Sequence, residues 1–199
     1  MRNILIACEF SGIVRDAFIL KGFNAISCDL LPTEKPGPHY QGNVLDIIND
    51  GFDLMIAHPP CTALTSSGQW YYKQFPDLVN DAATFFISLA TCNIEKICIE
   101  NPTGVMTKRF RKPDQIIHPY YFGEPHMKRT ALWLKNLPLL THPDKNQLAK
   151  PDPIYIDKSG TKRFFTDAIS GDRNGGHLRS RTFQSIASAM AEQWSKLFL

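Results

Sequence analysis

The chain has 199 residues, 43% of them hydrophobic and 21% charged, with a formal net charge of +3. This is the balance of a soluble globular protein long enough to bury a core. No apolar run reaches about 18 residues, which excludes a transmembrane helix, and the start MRNILIACEF lacks the shape of a signal peptide.

In chain order, RNILIAC (2–8) predicts a short apolar strand. EFSGIVRDAFILKG carries Ile13, Val14, Ala17, Phe18 and Leu20 at helical spacing, with Gly22 as a stop. FNAISCDL (23–30) predicts a second strand, and the Pro- and Gly-rich TEKPGPHYQG (33–42) a loop. NVLDIIND reads as a short turn or helix, and FDLMIAH (52–58) as a third strand. HPPC and a small-residue loop, TALTSSG, follow. Pro76 and Asp77 open a helix to about Cys92, with Leu78, Ala82, Phe85, Phe86 and Leu89 on one face. KICIENP (96–102) is the next strand. YYFGEP and TALWLKN predict two more, as a hairpin. Residues 141–180 read as a short irregular basic insertion with a tight turn at KSGTKR, and QSIASAMAEQWSKLFL as a terminal helix. Strands alternating with helices predict an α/β fold around one mostly parallel sheet.

Five cysteines (Cys8, Cys28, Cys61, Cys92, Cys98) form no CxxC pair and give an odd count. That argues against a disulfide framework and a zinc ribbon, and for a reducing, cytoplasmic setting. A free cysteine in an apolar segment is by default a small buried hydrophobe. His58 and Cys61 make the sole local HxxC pair, so no metal is expected. His58 reads as a loop filler, a base or a neighbour of the thiol.

Open α/β sheets bind ligands beyond the carboxyl ends of their strands. Glu9, Asp29, Cys61 and Glu100 all fall at or just past such ends. Gly12 at a strand-to-helix turn is either a structural glycine or a cofactor loop. Asp29 stands where an acid commonly accepts hydrogen bonds from ribose hydroxyls, and with Gly12 it points to a nucleoside-containing cofactor. Asp46 reads as a turn cap or as a contact to an adenine amino group. In HPPC, the prolines stiffen a loop that presents Cys61 as a nucleophile. Glu100 can hold a ring nitrogen and stabilise charge developing on an electron-poor ring.

The order of these segments resembles the DNA cytosine-5 methyltransferase family over roughly 150 residues. EFSGIVRDAF resembles its first motif, SCDLLP its ribose-binding segment, and NVLDI its third motif. AHPPCTALTSSG resembles the catalytic Pro-Cys loop and IENPTG the Glu-Asn segment. YYFGEPHMKRTALWL resembles the arginine-bearing motif, and SRTFQSIASAMAEQW the last motif. Val14 or Arg15 stands where the family has a second glycine. Lys128 takes the first arginine position and Thr130 the second, with Arg129 able to substitute only in a shifted register. The family's sizeable recognition domain has no counterpart between Thr130 and Arg181.

The resemblance implies a single catalytic domain over 1–199 with the Rossmann-like S-adenosylmethionine-dependent methyltransferase fold. It implies methyl transfer to carbon 5 of cytosine, catalysed by Cys61, Glu100 and Lys128. Glu9, Phe10, Ser11, Gly12, Asp29, Leu30, Asp46 and Pro59 would bind S-adenosyl-L-methionine. Ser66, Ser67, Arg129, Lys162, Arg163 and Arg179 would meet nucleic acid, with Phe164 and Phe165 as stacking platforms. The same nucleophile also serves other carbon-5 chemistry, such as hydroxymethylation, and action on RNA or a free nucleotide. A specificity partner subunit, or a binding module without turnover, are the further alternatives. Trp70, Tyr71 and Tyr72 read as packing over the sheet or as stacking surfaces. A compact enzyme of a phage fits this size.

Overall fold

A computed structural model describes residues 1–164 and 180–198, apart from the side chains of residues 67, 69 and 71. Arg179 and Phe165 lie outside the described residues. The sheet has seven strands in the order β3-β2-β1-β4-β5-β7-β6. These are β1 Asn3–Ala7, β2 Asn24–Asp29, β3 His39–Gln41, β4 Leu54–Ala57, β5 Lys96–Asn101, β6 Gln115–Ile117 and β7 Thr130–Lys135. The first five run parallel; β7 is antiparallel to both β5 and β6. The fold is therefore α/β, with a mixed, mostly parallel sheet between helices.

The central strands are buried on both faces and so read as continuous apolar runs. Along β1, Ile4 and Ile6 face α1 (Ile13–Ile19) and the terminal helix α5 (Gln184–Trp194). Leu5 and Ala7 face the opposite core, with Phe86 and Leu89 of α3 (Pro76–Thr91). Trp194 and Trp133 are the largest fully buried side chains, one in each core. Each indole satisfies its N–H locally: Trp194 donates to the Pro138 carbonyl at 3.1 Å and Trp133 to Arg111 at 2.8 Å. Two short helices, α2 (Gln69–Tyr72) and α4 (Met106–Arg109), sit beside the loops that leave β4 and β5.

Three sequence expectations need correction. The 33–42 segment is not all loop, because His39–Gln41 pairs in parallel with Ser27–Asp29. An edge strand this short follows Pro36 and Pro38 without needing their missing donors. The hairpin partner of β7 is Gln115–Ile117, not YYFGEP. Pro119 opens a single 3-10 turn there, and Gly123 closes it at φ 93°. Leu78 stays 53% exposed; Phe86 and Leu89 are buried as expected, and Ala83 rather than Ala82 is the buried alanine of α3. The 141–180 stretch, where described, holds a two-strand ribbon, β8 (Tyr155–Ile156) with β9 (Lys162–Arg163).

Candidate functional site

The order of β3-β2-β1-β4-β5 reverses direction between β1 and β4, and such a switch point opens a crevice at the carboxyl ends of the strands. Cys8–Gly12 leaves β1 there, Asp29 ends β2, His58–Cys61 leaves β4, and Glu100–Asn101 ends β5. Parallel pairing puts all four at one edge.

The loop after β1 turns sharply. Cys8 has φ 57° and Gly12 φ 71°. Glu9 is buried and caps α1 from outside. Its carboxylate accepts from the amides of Val14 at 2.7 Å and Arg15 at 3.3 Å, and from the Ser11 hydroxyl at 3.1 Å. The helix thus gains a cap that Gly12 cannot supply. Arg15 is fully buried beneath the loop. Its guanidinium donates to Asp16, Ser27, Thr33 and the carbonyls of Lys35 and Pro36. A Cβ on Gly12 would lie 2.5 Å from that guanidinium. One buried cation therefore ties α1, β2 and the 33–36 segment into one wall.

On the other side, the loop after β4 is clamped to the end of β5. Asn101 donates to the Pro59 carbonyl at 2.8 Å. The amides of Leu64 and Thr65 donate to the Cys61 carbonyl, closing a turn that starts at the cysteine. Val105 donates to the Leu64 carbonyl at 2.9 Å, and the Ser66 hydroxyl to Thr103 at 3.0 Å. Gly104 makes this approach possible: a Cβ there would sit 2.0 Å from the Leu64 oxygen.

Glu100 is 13% exposed and pairs with His58, Nδ1 to Oε2 at 3.2 Å. Burial pushes its carboxyl up, but the Lys128 charge and the His58 contact outweigh it and hold the pKa below the ordinary value. Nε2 of His58 is buried without a hydrogen-bond partner among the described residues. The Thr182 hydroxyl lies 3.5 Å from His58 Nδ1, and Arg181 pairs with Glu34 at 2.6 Å. The Glu34 amide donates to the Phe10 carbonyl. The segment before α5 therefore touches both sides of the crevice.

The cysteines separate by environment. Burial, with the charge of Asp29 and the neighbouring Cys28 thiol adding to it, pushes the Cys8 thiol up to about 12. Burial, Asp29 and Asp46 push Cys28 up to about 11, and burial in the core raises Cys98 too. All three are held as thiols. Cys61 is half-buried at the crevice, in no disulfide.

No family model matches the chain, and no curated protein does. Among solved structures it is similar to a proposed DNA modification methyltransferase encoded within an E. coli prophage, with 14% sequence identity and a TM-score of 0.45. The match covers 67% of this chain and 46% of that one, so the matched segment spans less than half of the relative's length.

Asp29 lies partly exposed at the end of β2, its Oδ1 accepting from the Leu31 amide. Asp46 is exposed and lies 3.4 Å from the Tyr40 hydroxyl, which donates to it. Leu30 is 73% exposed, whereas Phe10 and Ser11 are buried in the first loop. Pro59 is buried, its carbonyl held by Asn101. The rim of the crevice thus carries a partly exposed acid at the end of β2 and an exposed one on the turn Val44–Asp46. Both oxygens of Glu9 are committed to the helix amides and the Ser11 hydroxyl, so this acid shapes the loop.

Lys128 and Arg129 diverge. The charge of Lys128 acts on Glu100, while that of the exposed Arg129 lowers the pKa of His118, whose burial lowers it more. Ser67 lies in the 3-10 turn Ser66–Gly68. Lys162 is exposed on β9, while Arg163 pairs with Asp157 at 2.6 Å across the tight turn. His58 had several readings in the sequence; its contact with Glu100 has no signal there, since 42 residues separate the two. Gly104 and Thr182 were likewise not singled out, and Arg15 was noted only at a position where the family has glycine, although an arginine near the start of an otherwise apolar helix face is a detectable oddity. Among the described residues no cluster of His, Cys, Asp or Glu could hold a metal, and no helix is long and apolar enough to cross a membrane.

Proposed function

We propose that the chain transfers a methyl group from S-adenosylmethionine to carbon 5 of a cytosine in DNA, through a covalent adduct on Cys61. The observation that carries this reading is the Asn101–Pro59 hydrogen bond at 2.8 Å. It fixes a Pro-Pro-Cys loop to the strand end that bears a nearly buried acid, at the switch point of the sheet. The order of the motifs along the sequence supports the same reading.

S-adenosylmethionine supplies an electrophilic methyl group on a sulfonium when bound. Phe10, Ser11, Gly12, Leu30 and Pro59 would enclose it, with Asp29 on its ribose hydroxyls and Asp46 toward its adenine. Glu9 serves by holding the first loop on α1.

Cys61 adds as a thiolate to carbon 6 of the ring. The electron pair displaced from the carbon 5–carbon 6 bond passes through carbon 4 to nitrogen 3, which takes a proton from Glu100. Glu100 rests as a carboxylate; entry of a base strips water from it and favours the neutral acid the step needs. Lys128 stays beside the polar edge of the ring. The enamine takes the methyl group at carbon 5, and nitrogen 3 returns its proton. Loss of the carbon-5 proton to solvent and departure of the thiolate restore the ring. A target inside a duplex must first leave the stack, at a cost of a few kcal/mol, which a single strand avoids.

The test is an oligonucleotide carrying 5-fluorocytosine. Fluorine cannot leave carbon 5 as a proton, so the adduct stalls with the protein attached. A covalent product that requires S-adenosylmethionine, maps to Cys61 by mass spectrometry and vanishes in Cys61→Ser supports the reading. A product that survives Cys61→Ser, or no product although S-adenosylmethionine binds, overturns it.

A further inference from the structure

A second cleft begins two residues beyond Cys61. Ala63, Trp70, Tyr72, Lys73, Lys108 and Arg109 line it, and it encloses about 510 Å³. That is within the range of about 300–1,000 Å³ typical of ligand pockets. Its walls are the loop after β4, α2, the start of α3, and α4. The Val105 amide donates to the Leu64 carbonyl and joins the entry of α4 to the Cys61 loop, so the cleft is built partly on that loop. Trp70 is 77% exposed at its edge. Lys73 and Lys108 are exposed, and Arg109 is braced by the Asn80 side chain at 2.7 Å. Three of the described lining residues are cations and none is a carboxylate.

We infer that this cleft seats a nucleotide flanking the target in a single-stranded stretch of nucleic acid. The base stacks on the Trp70 indole, and the phosphates meet Lys73, Lys108 and Arg109. An exposed aromatic face beside cations is the arrangement that binds single strands without reading their sequence. An uncharged apolar ligand has no use for three cations, and a duplex buries the base faces that an indole stacks on. The inference rests on the proposed cytosine chemistry for the choice of target, but the binding itself does not need Cys61. It gives the chain a hold on its substrate that does not require a large recognition domain.

The test is fluorescence anisotropy of the full chain with a labelled 12-mer as single-stranded DNA, as RNA and as duplex DNA, over a range of salt. Trp70→Ala should weaken single-strand binding about tenfold, the worth of one stacked base. Lys73→Ala with Lys108→Ala should reduce the salt dependence by about 0.7 log units per cation. Both variants should bind S-adenosylmethionine as the parent does, since both alter exposed side chains away from the first loop. A preference for RNA over DNA leaves the inference intact and names the polymer. Unchanged single-strand affinity in both variants overturns it, as does an equal loss on duplex and single strand. Cleft-dependent binding without any Cys61 adduct on 5-fluorocytosine would sink the methyl-transfer reading and leave the cleft standing; the reverse pattern would do the opposite.

Discussion

His58 Nδ1 lies 3.2 Å from Glu100 Oε2, across the gap between the loop after β4 and the end of β5. The contact joins the residue that precedes the Pro-Pro-Cys turn to the acid that faces the crevice. It makes the position of the acid depend on the loop that carries Cys61, and with the larger effect of the Lys128 charge it holds the acid's pKa below the ordinary value.

A pH dependence of stability follows. The folded pKa of Glu100 is lowered, because Lys128 and His58 outweigh burial. A carboxyl lowered by folding contributes stability that is complete above its unfolded value and lost as pH falls through the folded value. Glu100→Gln should therefore be less stable than the parent at pH 7, and the difference should shrink below about pH 4. Urea unfolding of both proteins at pH 7 and at several values well below pH 4 measures it. A difference that does not change with pH would mean that Glu100 is not held ionised. Lys128→Met should raise the Glu100 pKa, read from the carboxyl carbon shift in NMR.

The cysteines should react in an order set by their surroundings. Cys8, Cys28 and Cys98 have thiols pushed up by burial first and by nearby acids second. At pH 8 iodoacetamide should label Cys61 well before these three, since the thiolate is the reactive form. Peptide mass mapping over time checks the order. Early labelling of Cys8 or Cys28 would contradict the burial argument.

Gly104 is held to glycine by space. The oxygen of Leu64 would lie 2.0 Å from an added Cβ, and the amide of Ser66 would lie at 3.0 Å. Both are backbone atoms, so relief requires moving the loop that carries Cys61. Gly104→Ala should cost roughly 1–3 kcal/mol of stability. It should also slow adduct formation at 5-fluorocytosine more than it weakens S-adenosylmethionine binding. A parent-like melting temperature and adduct rate would show that the loop moves freely.

The sheet and its helices were legible because their signals are local. Short apolar runs such as NILIA and LMIA, bounded by turn signals, form buried strands as expected, and α3 opens on Pro76 as the sequence indicates. The expected carboxyl-end alignment of Glu9, Asp29, Cys61 and Glu100 also follows from strand order alone. The misses come from short elements and long-range polar contacts. Gln115–Ile117 is a strand because Ala131 and Leu132 pair with it, and three residues carry no period of their own. YYF looks like a strand by composition, yet Pro119 and Gly123 set a turn. The Arg15 network joins residues up to 21 positions apart, and nothing in its one-dimensional spacing announces it. Lys128 and Arg129 were adjacent candidates; the start of β7 sends their charges to Glu100 and His118 respectively.

The most direct measurement is methyl transfer itself. Labelled S-adenosylmethionine is incubated with the chain and single-stranded DNA, duplex DNA, RNA or dCMP, with Cys61→Ser alongside, and products are weighed. The result predicted is one methyl gained on cytosine, dependent on Cys61 and strongest on single-stranded DNA. A methyl group transferred equally well by Cys61→Ser, or a chain that does not bind S-adenosylmethionine, would contradict it.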